Sequence, residues 1–247
     1  MRFAVMGGTG LIGSQVVRKL RAAGHEATSH SRSTGVDLVT GEGIREAVEG
    51  AEVVIDLTKA PAFDRSAHAF YQATMDHLLT ASREAGVRHV VILSIVGAER
   101  VPGDGYYGAK VLQEELVRAG SLPYSIVRST QFMEFVDAVL TGTVALDDVR
   151  LPTTPLQPIA AGDVADVVAE VALGAPLRGI REIAGPEVLP LDQIGRRRLE
   201  SRGERRTVIV DESAGLYAGL PGDALTAGPD TEIAPTSYAD WLARAPG

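Results

Sequence analysis

Tyr106 and Lys110 stand four residues apart in the stretch YYGAK, so a helix here puts both side chains on one face. A free phenol has a pKa of about 10 and exchanges protons poorly at neutral pH. A neighbouring ammonium favours the phenolate, and burial strengthens that coupling, so the pair suits acid–base chemistry. Y-x-x-x-K also recurs by chance, and Tyr106 or the adjacent Tyr107 would serve equally as an aromatic closing a core. Ser94 ends the apolar run HVVILS, 12 residues before Tyr106, where its hydroxyl could hydrogen-bond a substrate carbonyl oxygen.

At the other end of the chain, Arg2 to Met6 runs straight into GGTGLIG and then into a helical pattern. Gly7, Gly10 and Gly13 match G-x-x-G-x-x-G at a strand-to-helix junction, with Thr9, Leu11 and Ile12 inside the same turn. That arrangement lets backbone N–H groups approach a diphosphate and brings helix and strand into contact at the third glycine. About 20 residues past such a turn, an acidic side chain ordinarily accepts hydrogen bonds from an adenosine ribose. Here the segment reads SHSRSTG, with no carboxylate from Ala27 to Gly35. Arg32, between Ser31 and Ser33, instead offers a guanidinium fork and two hydroxyls to a 2′-phosphate. The pattern favours NADP(H) as cofactor.

Positioning these residues requires a sheet. Strands are expected at Arg2–Met6, His25–Ser31, Val36–Val39, Ala51–Leu57, along HVVILSIVG and at Tyr124–Arg128. Helices are expected at Leu11–Ala23, Ile44–Glu49, Asp64–Ala85 and from about Tyr107 to Ala119. Continuously apolar, β-branched strands between helices predict an α/β fold, a Rossmann-like, doubly wound parallel sheet covered on both faces. After Thr141 the rhythm weakens: Pro152, Pro155 and Pro158 bracket a loop, GDVADVVAEVAL reads as a helix, and shorter elements follow. The expectation is one domain over residues 1–247. A dinucleotide-binding core would occupy about 1–140, with a small α/β C-terminal substrate lobe, about 141–247, woven onto it.

The stretches GGTGLIG, SRS, VDLVTGEG, VVIDLT, VVILSIVG, YYGAK, VRSTQFMEF and AGPEVLPLDQI together resemble the short-chain dehydrogenase/reductase superfamily. The likeness runs along essentially the whole chain and is nearest the atypical, extended NmrA-like NAD(P)H-binding branch. It implies that Asp37 and Leu38 flank the adenine and that Leu57, Thr58 and Lys59 lie along the adenosine and ribose. Ser94 to Val96 would approach the nicotinamide, and Ser129, Thr130 and the residues up to Phe132 would border it and the substrate. Tyr106 would be the general acid, with Lys110 its electrostatic partner and able to reach the ribose.

The leading expectation is an NADPH-dependent oxidoreductase that passes hydride to a small or medium apolar carbonyl, enone or quinone. Phe132, Met133 and Phe135 are the candidate substrate residues, although FMEFVDAVL at helical spacing is also an ordinary core pattern. A non-catalytic NADP(H)-binding redox sensor would need the glycine turn and not the Tyr/Lys pair. An epimerase or dehydratase with a retained cofactor is a third reading.

Composition narrows the field. The 247 residues contain no Cys, which excludes thiol nucleophiles, disulfides and thiolate metal sites. The five His show no metal-ligand spacing, so no metal is expected. A net charge of −8 argues against nucleic acid, and no apolar run approaches a membrane span. A cytoplasmic monomer or homodimer acting on a small molecule is the expectation. Asp163 and Asp166 read as helix-start carboxylates, His68 and His77 as surface or interface residues, and Trp241 as the anchor of the last helix.

Overall fold

This is a computed structural model, and it describes residues 1–145 and 148–245. The opening apolar run is strand β1 (Arg2–Met6), buried at every position but the first. Helix α1 (Leu11–Ala22), β2 (Glu26–His30), α2 (Ile44–Val48), β3 (Val53–Asp56), α3 (Ser66–Glu84), β4 (His89–Ile95), α4 (Tyr106–Ala119) and β5 (Tyr124–Ser129) follow. Then come α5 (Val136–Gly142), β6 (Val144–Ala145), β7 (Asp148–Leu151), β8 (Pro155–Leu156), α6 (Ala161–Leu173) and β9 (Ile180–Ala184). The last elements are β10 (Leu189–Pro190), α7 (Leu191–Ser201), β11 (Thr207–Val210), β12 (Glu232–Ile233) and α8 (Tyr238–Leu242).

Seven strands form one wholly parallel sheet in the order β12-β9-β5-β4-β3-β1-β2. The Val/Ile runs of β3 and β4 are buried because helices cover both faces. On one face α1 and α6 pack Val16, Leu20, Val164 and Val168 over Val5, Ile55 and Val91. On the other, Met75, Leu78 and Val117 cover Val54, Val90, Ile92 and Ile126. Each such side chain contributes about 1.5–3 kcal/mol on burial. A third cluster, with Met133, Leu140, Leu151, Ile194, Val208 and Tyr238, is the core of a lobe at the carboxyl end of the sheet. The lobe is interleaved with the sheet, since α6, β9 and β12 follow α5 in the chain yet belong to the sheet and its cover.

Residues 36–39 are not a strand. Asp37 makes only an isolated bridge to Glu42, and its Oδ1 accepts from the Val39 N–H at 2.8 Å. This side-chain turn satisfies the backbone locally and competes with sheet pairing. Gly41 and Gly43, at positive φ, then lead the chain into α2. Strand β9, by contrast, had no clear signature, because IREIA is short and carries two adjacent charges, with only Ile183 and Ala184 buried.

Candidate functional site

The strand order reverses at β1, which pairs with β2 on one side and β3 on the other. A crevice opens outside the carboxyl ends of strands at such a point. Here it is a cavity of about 830 Å³ between the sheet and the lobe.

The glycine turn forms one wall. Gly7 has φ +70°, and a Cβ there would lie 2.9 Å from the Leu57 carbonyl oxygen. A Cβ at Gly13 would come within 2.2 Å of the Gly7 carbonyl oxygen. No side chain fits, and α1 is thereby held against the turn with its N-terminus facing the cavity. Gly10 caps α1 without a side-chain hydrogen bond, and its first turn carries no acidic residue. Its partial positive charge and free N–H groups are left for an anion. Thr9, Leu11 and Ile12 line the same wall.

Ser31, Arg32, Asp37 and Leu38 line the end of the cavity beyond β2. Arg32 begins a 3₁₀ turn, Arg32–Thr34, and is exposed, with no carboxylate paired to it among the described residues. Ser33 does not line the cavity: it is exposed, with its Oγ 2.8 Å from that of Ser31. The turn pivots Ser33 behind its neighbour, so Ser31 alone of the two hydroxyls faces inward. His30 also lines this end; its Nε2 is buried without a partner, and burial lowers its pKa.

Leu57, Thr58, Ser94, Ser129, Thr130, Tyr106 and Lys110 meet in the middle of the cavity. The Ser94 hydroxyl is buried and has no hydrogen-bond partner among the described residues. Tyr106 stacks at a tilt on Phe63, ring centroids 4.7 Å apart, and burial raises its pKa. Its hydroxyl lies 3.5 Å from that of Tyr71. Lys110 is fully buried: its Nζ donates to the Leu93 carbonyl at 2.7 Å and to Gln113 Oε1, and stands 4.7 Å over the Tyr71 ring. Burial pulls its pKa down to about 8, against the opposing charges of Asp56 and Glu114. Gln113 in turn donates to Asp56 Oδ2 at 2.8 Å, while Asp56 Oδ1 accepts from the Thr58 N–H and hydroxyl. Burial raises the pKa of Asp56, against those hydrogen bonds and the Lys110 charge. This connected floor fixes the Leu57–Thr58 loop. The Tyr71 hydroxyl beside Tyr106 acts against burial and lowers its pKa.

Phe132 and Phe135 line the lobe side, with Tyr107, Leu216 and Tyr217. Met133 does not join them: it is 1% exposed and packed into the lobe core, which is the outcome its helical spacing also allowed. Phe63, Tyr71, Asp56, Gln113 and Tyr217 were not picked out from sequence. Phe63 is in a loop, Tyr71 sits in an apolar cluster on α3, and Gln113 sits on α4 in a stretch that reads as an ordinary amphipathic helix. No local pattern marked them. Asp163 holds the Thr236 N–H and hydroxyl, Asp166 pairs with Lys19, and His77 Nδ1 lies 3.0 Å from the Leu38 carbonyl.

The donor set fits a dinucleotide: a tight glycine turn that admits no Cβ at Gly7 or Gly13, an uncompensated helix N-terminus, and an orphaned serine hydroxyl in the same cavity. A sequence profile of a family described as NAD(P)H-binding matches residues 7–174. A photosystem II assembly factor of Synechocystis sp. is 29% identical over 150 residues, a match covering 54% of this chain and 46% of that protein. The (4-alkanoyl-5-oxo-2,5-dihydrofuran-3-yl)methyl phosphate reductase of Streptomyces griseus is 25% identical over 201 residues, 75% of this chain and 68% of that protein. Among solved structures, an NADPH-dependent quinone oxidoreductase from Escherichia coli superposes with a TM-score of 0.70 at 15% identity, covering 98% of each chain. A short-chain dehydrogenase/reductase superfamily protein from Agrobacterium tumefaciens with bound NAD superposes with a TM-score of 0.72 at 17% identity, covering 99% of this chain and 95% of that one. These superpositions establish the fold, and the profile covers the glycine turn, Tyr106 and Lys110 alike. The chain belongs to the NAD(P)H-binding family, built on the Rossmann-like fold that the short-chain dehydrogenase/reductase superfamily shares.

Proposed function

We propose that the protein is an NADPH-dependent reductase of a small or medium apolar carbonyl, enone or quinone. The observation that carries this reading is the Ser94 hydroxyl, buried and unpartnered in the same cavity as Tyr106 and the glycine turn. A buried hydroxyl without a partner costs stability unless a ligand completes it. NADPH, when bound, supplies the hydride.

The chain's own residues do the rest. The α1 N-terminus and the backbone of the glycine turn hold the diphosphate. Arg32 and Ser31 take the 2′-phosphate, which selects NADPH over NADH. Ser94 and Tyr106 donate to the substrate oxygen, where negative charge develops. With its pKa raised by burial, Tyr106 is protonated at neutral pH, the form a donor requires. Phe63, Phe132 and Phe135 offer an apolar wall and keep water from the reacting oxygen. The name of the Streptomyces relative, a reductase, supports the same class of reaction. Tyr106→Phe should lower kcat by at least about 100-fold while leaving NADPH affinity within a factor of two or so, since a general acid contributes roughly 10²–10⁴. Stopped-flow absorbance and calorimetry measure the two quantities; undiminished turnover removes Tyr106 from the mechanism.

A second reading is a nucleotide-binding redox sensor without turnover. It is favoured by the engagement of the Lys110 ammonium with Leu93 and Gln113, which ties it into the cavity floor. Steady NADPH oxidation with any member of a panel of aldehydes, enones and quinones decides for the reductase. Tight nucleotide binding with no oxidation across the panel decides for the sensor.

A further inference from the structure

Beneath the Tyr106 phenol lies a second one. Tyr71, on α3, is fully buried and does not line the cavity, yet its hydroxyl is 3.5 Å from that of Tyr106. The Ala60 N–H reaches the same Tyr71 oxygen at 3.4 Å. Ala60, Ala67, Ala109 and the Phe70 ring pack around it, with the Lys110 ammonium 4.7 Å over the ring, and among the described residues it makes no other side-chain hydrogen bond.

Donor accounting points to one direction. A backbone N–H can only donate, so the Tyr71 oxygen accepts from Ala60 and its own proton must go elsewhere. Tyr106 is the acceptor that meets it among the described residues. An oxygen that receives the Tyr71 proton directs its own proton away from Tyr71, and Tyr106 faces the cavity there. The charged groups nearby reinforce this polarity. The Lys110 ammonium stands over the Tyr71 ring face, and Asp56 is linked to Lys110 through Gln113.

We propose that Tyr71 is a positioning residue for Tyr106: its O–H donates to the Tyr106 oxygen, turns the Tyr106 proton into the cavity and stabilises the phenolate left behind. In the transfer, the Tyr106 O–H bond breaks and the proton joins the negatively charged substrate oxygen. The electron pair stays on the Tyr106 oxygen, where the Tyr71 hydrogen bond strengthens as charge builds. Lys110 then acts on the reaction through Tyr71. This deepens the reading of Tyr106 as general acid and rests on it.

The test needs no substrate. The full chain is prepared with 3,5-difluorotyrosine at position 106, and the probe's phenol is titrated by absorbance with Tyr71 intact and in Tyr71→Phe. Loss of the hydroxyl should raise the probe's pKa by about one to two units, a 10- to 100-fold change in the proton equilibrium. An unchanged pKa in folded protein, checked by circular dichroism, overturns the proposal. Should Tyr71→Phe fail to fold, ¹³Cζ-tyrosine NMR of the full chain replaces it. Tyr106→Phe should then shift the Tyr71 resonance, and an unmoved resonance overturns the proposal. The two readings fail separately. Turnover that survives Tyr106→Phe removes the acid and leaves this coupling intact, whereas an unchanged titration removes the coupling and leaves the acid.

Discussion

At the scale of single residues, chemistry resides in a few polar atoms left without partners. Among the described residues, Arg32 is exposed at one end of the cavity with no carboxylate paired to it, and the Ser94 hydroxyl is buried near the middle with no hydrogen-bond partner. Arg32→Ala should weaken NADPH binding by about 10- to 100-fold, the worth of a charge-assisted pair, and leave NADH binding unchanged. Calorimetry with the two nucleotides measures this; an equal loss for both would mean that Arg32 does not grip the 2′-phosphate. Residues of this kind were legible because their types declare their chemistry. Which way a neighbour turns was not. Ser33 and Met133 looked as suitable as Ser31 and Phe132, but a 3₁₀ turn and a helical packing face rotate them out of the cavity. Tyr71 was invisible for the opposite reason, since it looks like any core aromatic until its hydroxyl is seen under Tyr106.

At the scale of elements, apolar runs between helices identified β1, β3, β4 and β5, because parallel strands covered on both faces bury nearly every residue. The end of the sheet at β9 and β12 was hidden, since strands there pair late in the chain and carry charged residues. Between β4 and β5 a single polar contact sets a pH limit on the sheet. Ser125 Oγ accepts from the Leu177 N–H at 2.9 Å and meets His89 Nε2 at 2.8 Å, so the imidazole is held buried between the two strands. Burial lowers the His89 pKa from 6.5 to about 4. An unfolded chain takes up that proton near pH 6.5 and the folded one does not until about pH 4, so acid favours unfolding across that window. Stability should fall by about 3 kcal/mol from this group as pH drops through the window. Urea melts of His89→Gln should lack that part of the slope; an identical slope would place the acid sensitivity elsewhere.

At the scale of the whole molecule, chain order and spatial order part company. Helix α6 covers the sheet beside α1, and β9 and β12 extend it past β5, although all three follow the start of the lobe. A fragment ending at residue 140 would lack these elements and expose Val16, Val17, Leu20 and Val127. It should therefore show no cooperative urea transition and no near-ultraviolet dichroism; a sharp two-state transition would show that the first 140 residues fold alone. The cavity shares this dependence. Tyr217 reaches it from the lobe, with its carbonyl held by the Thr154 hydroxyl at 2.8 Å, and the Leu225 carbonyl is tied to Gln131 at 3.1 Å.

Glu134, which lines the cavity, accepts from the Ala161 N–H at the start of α6 and from the Trp241 Nε1–H at 3.2 Å. Trp241 is the chain's single tryptophan. Its indole is thus wired to the rim of the crevice by one carboxylate, and its emission is uncontaminated by any other fluorophore of its kind. Any change in that emission on adding the coenzyme would therefore report on one known position beside the crevice, without a label.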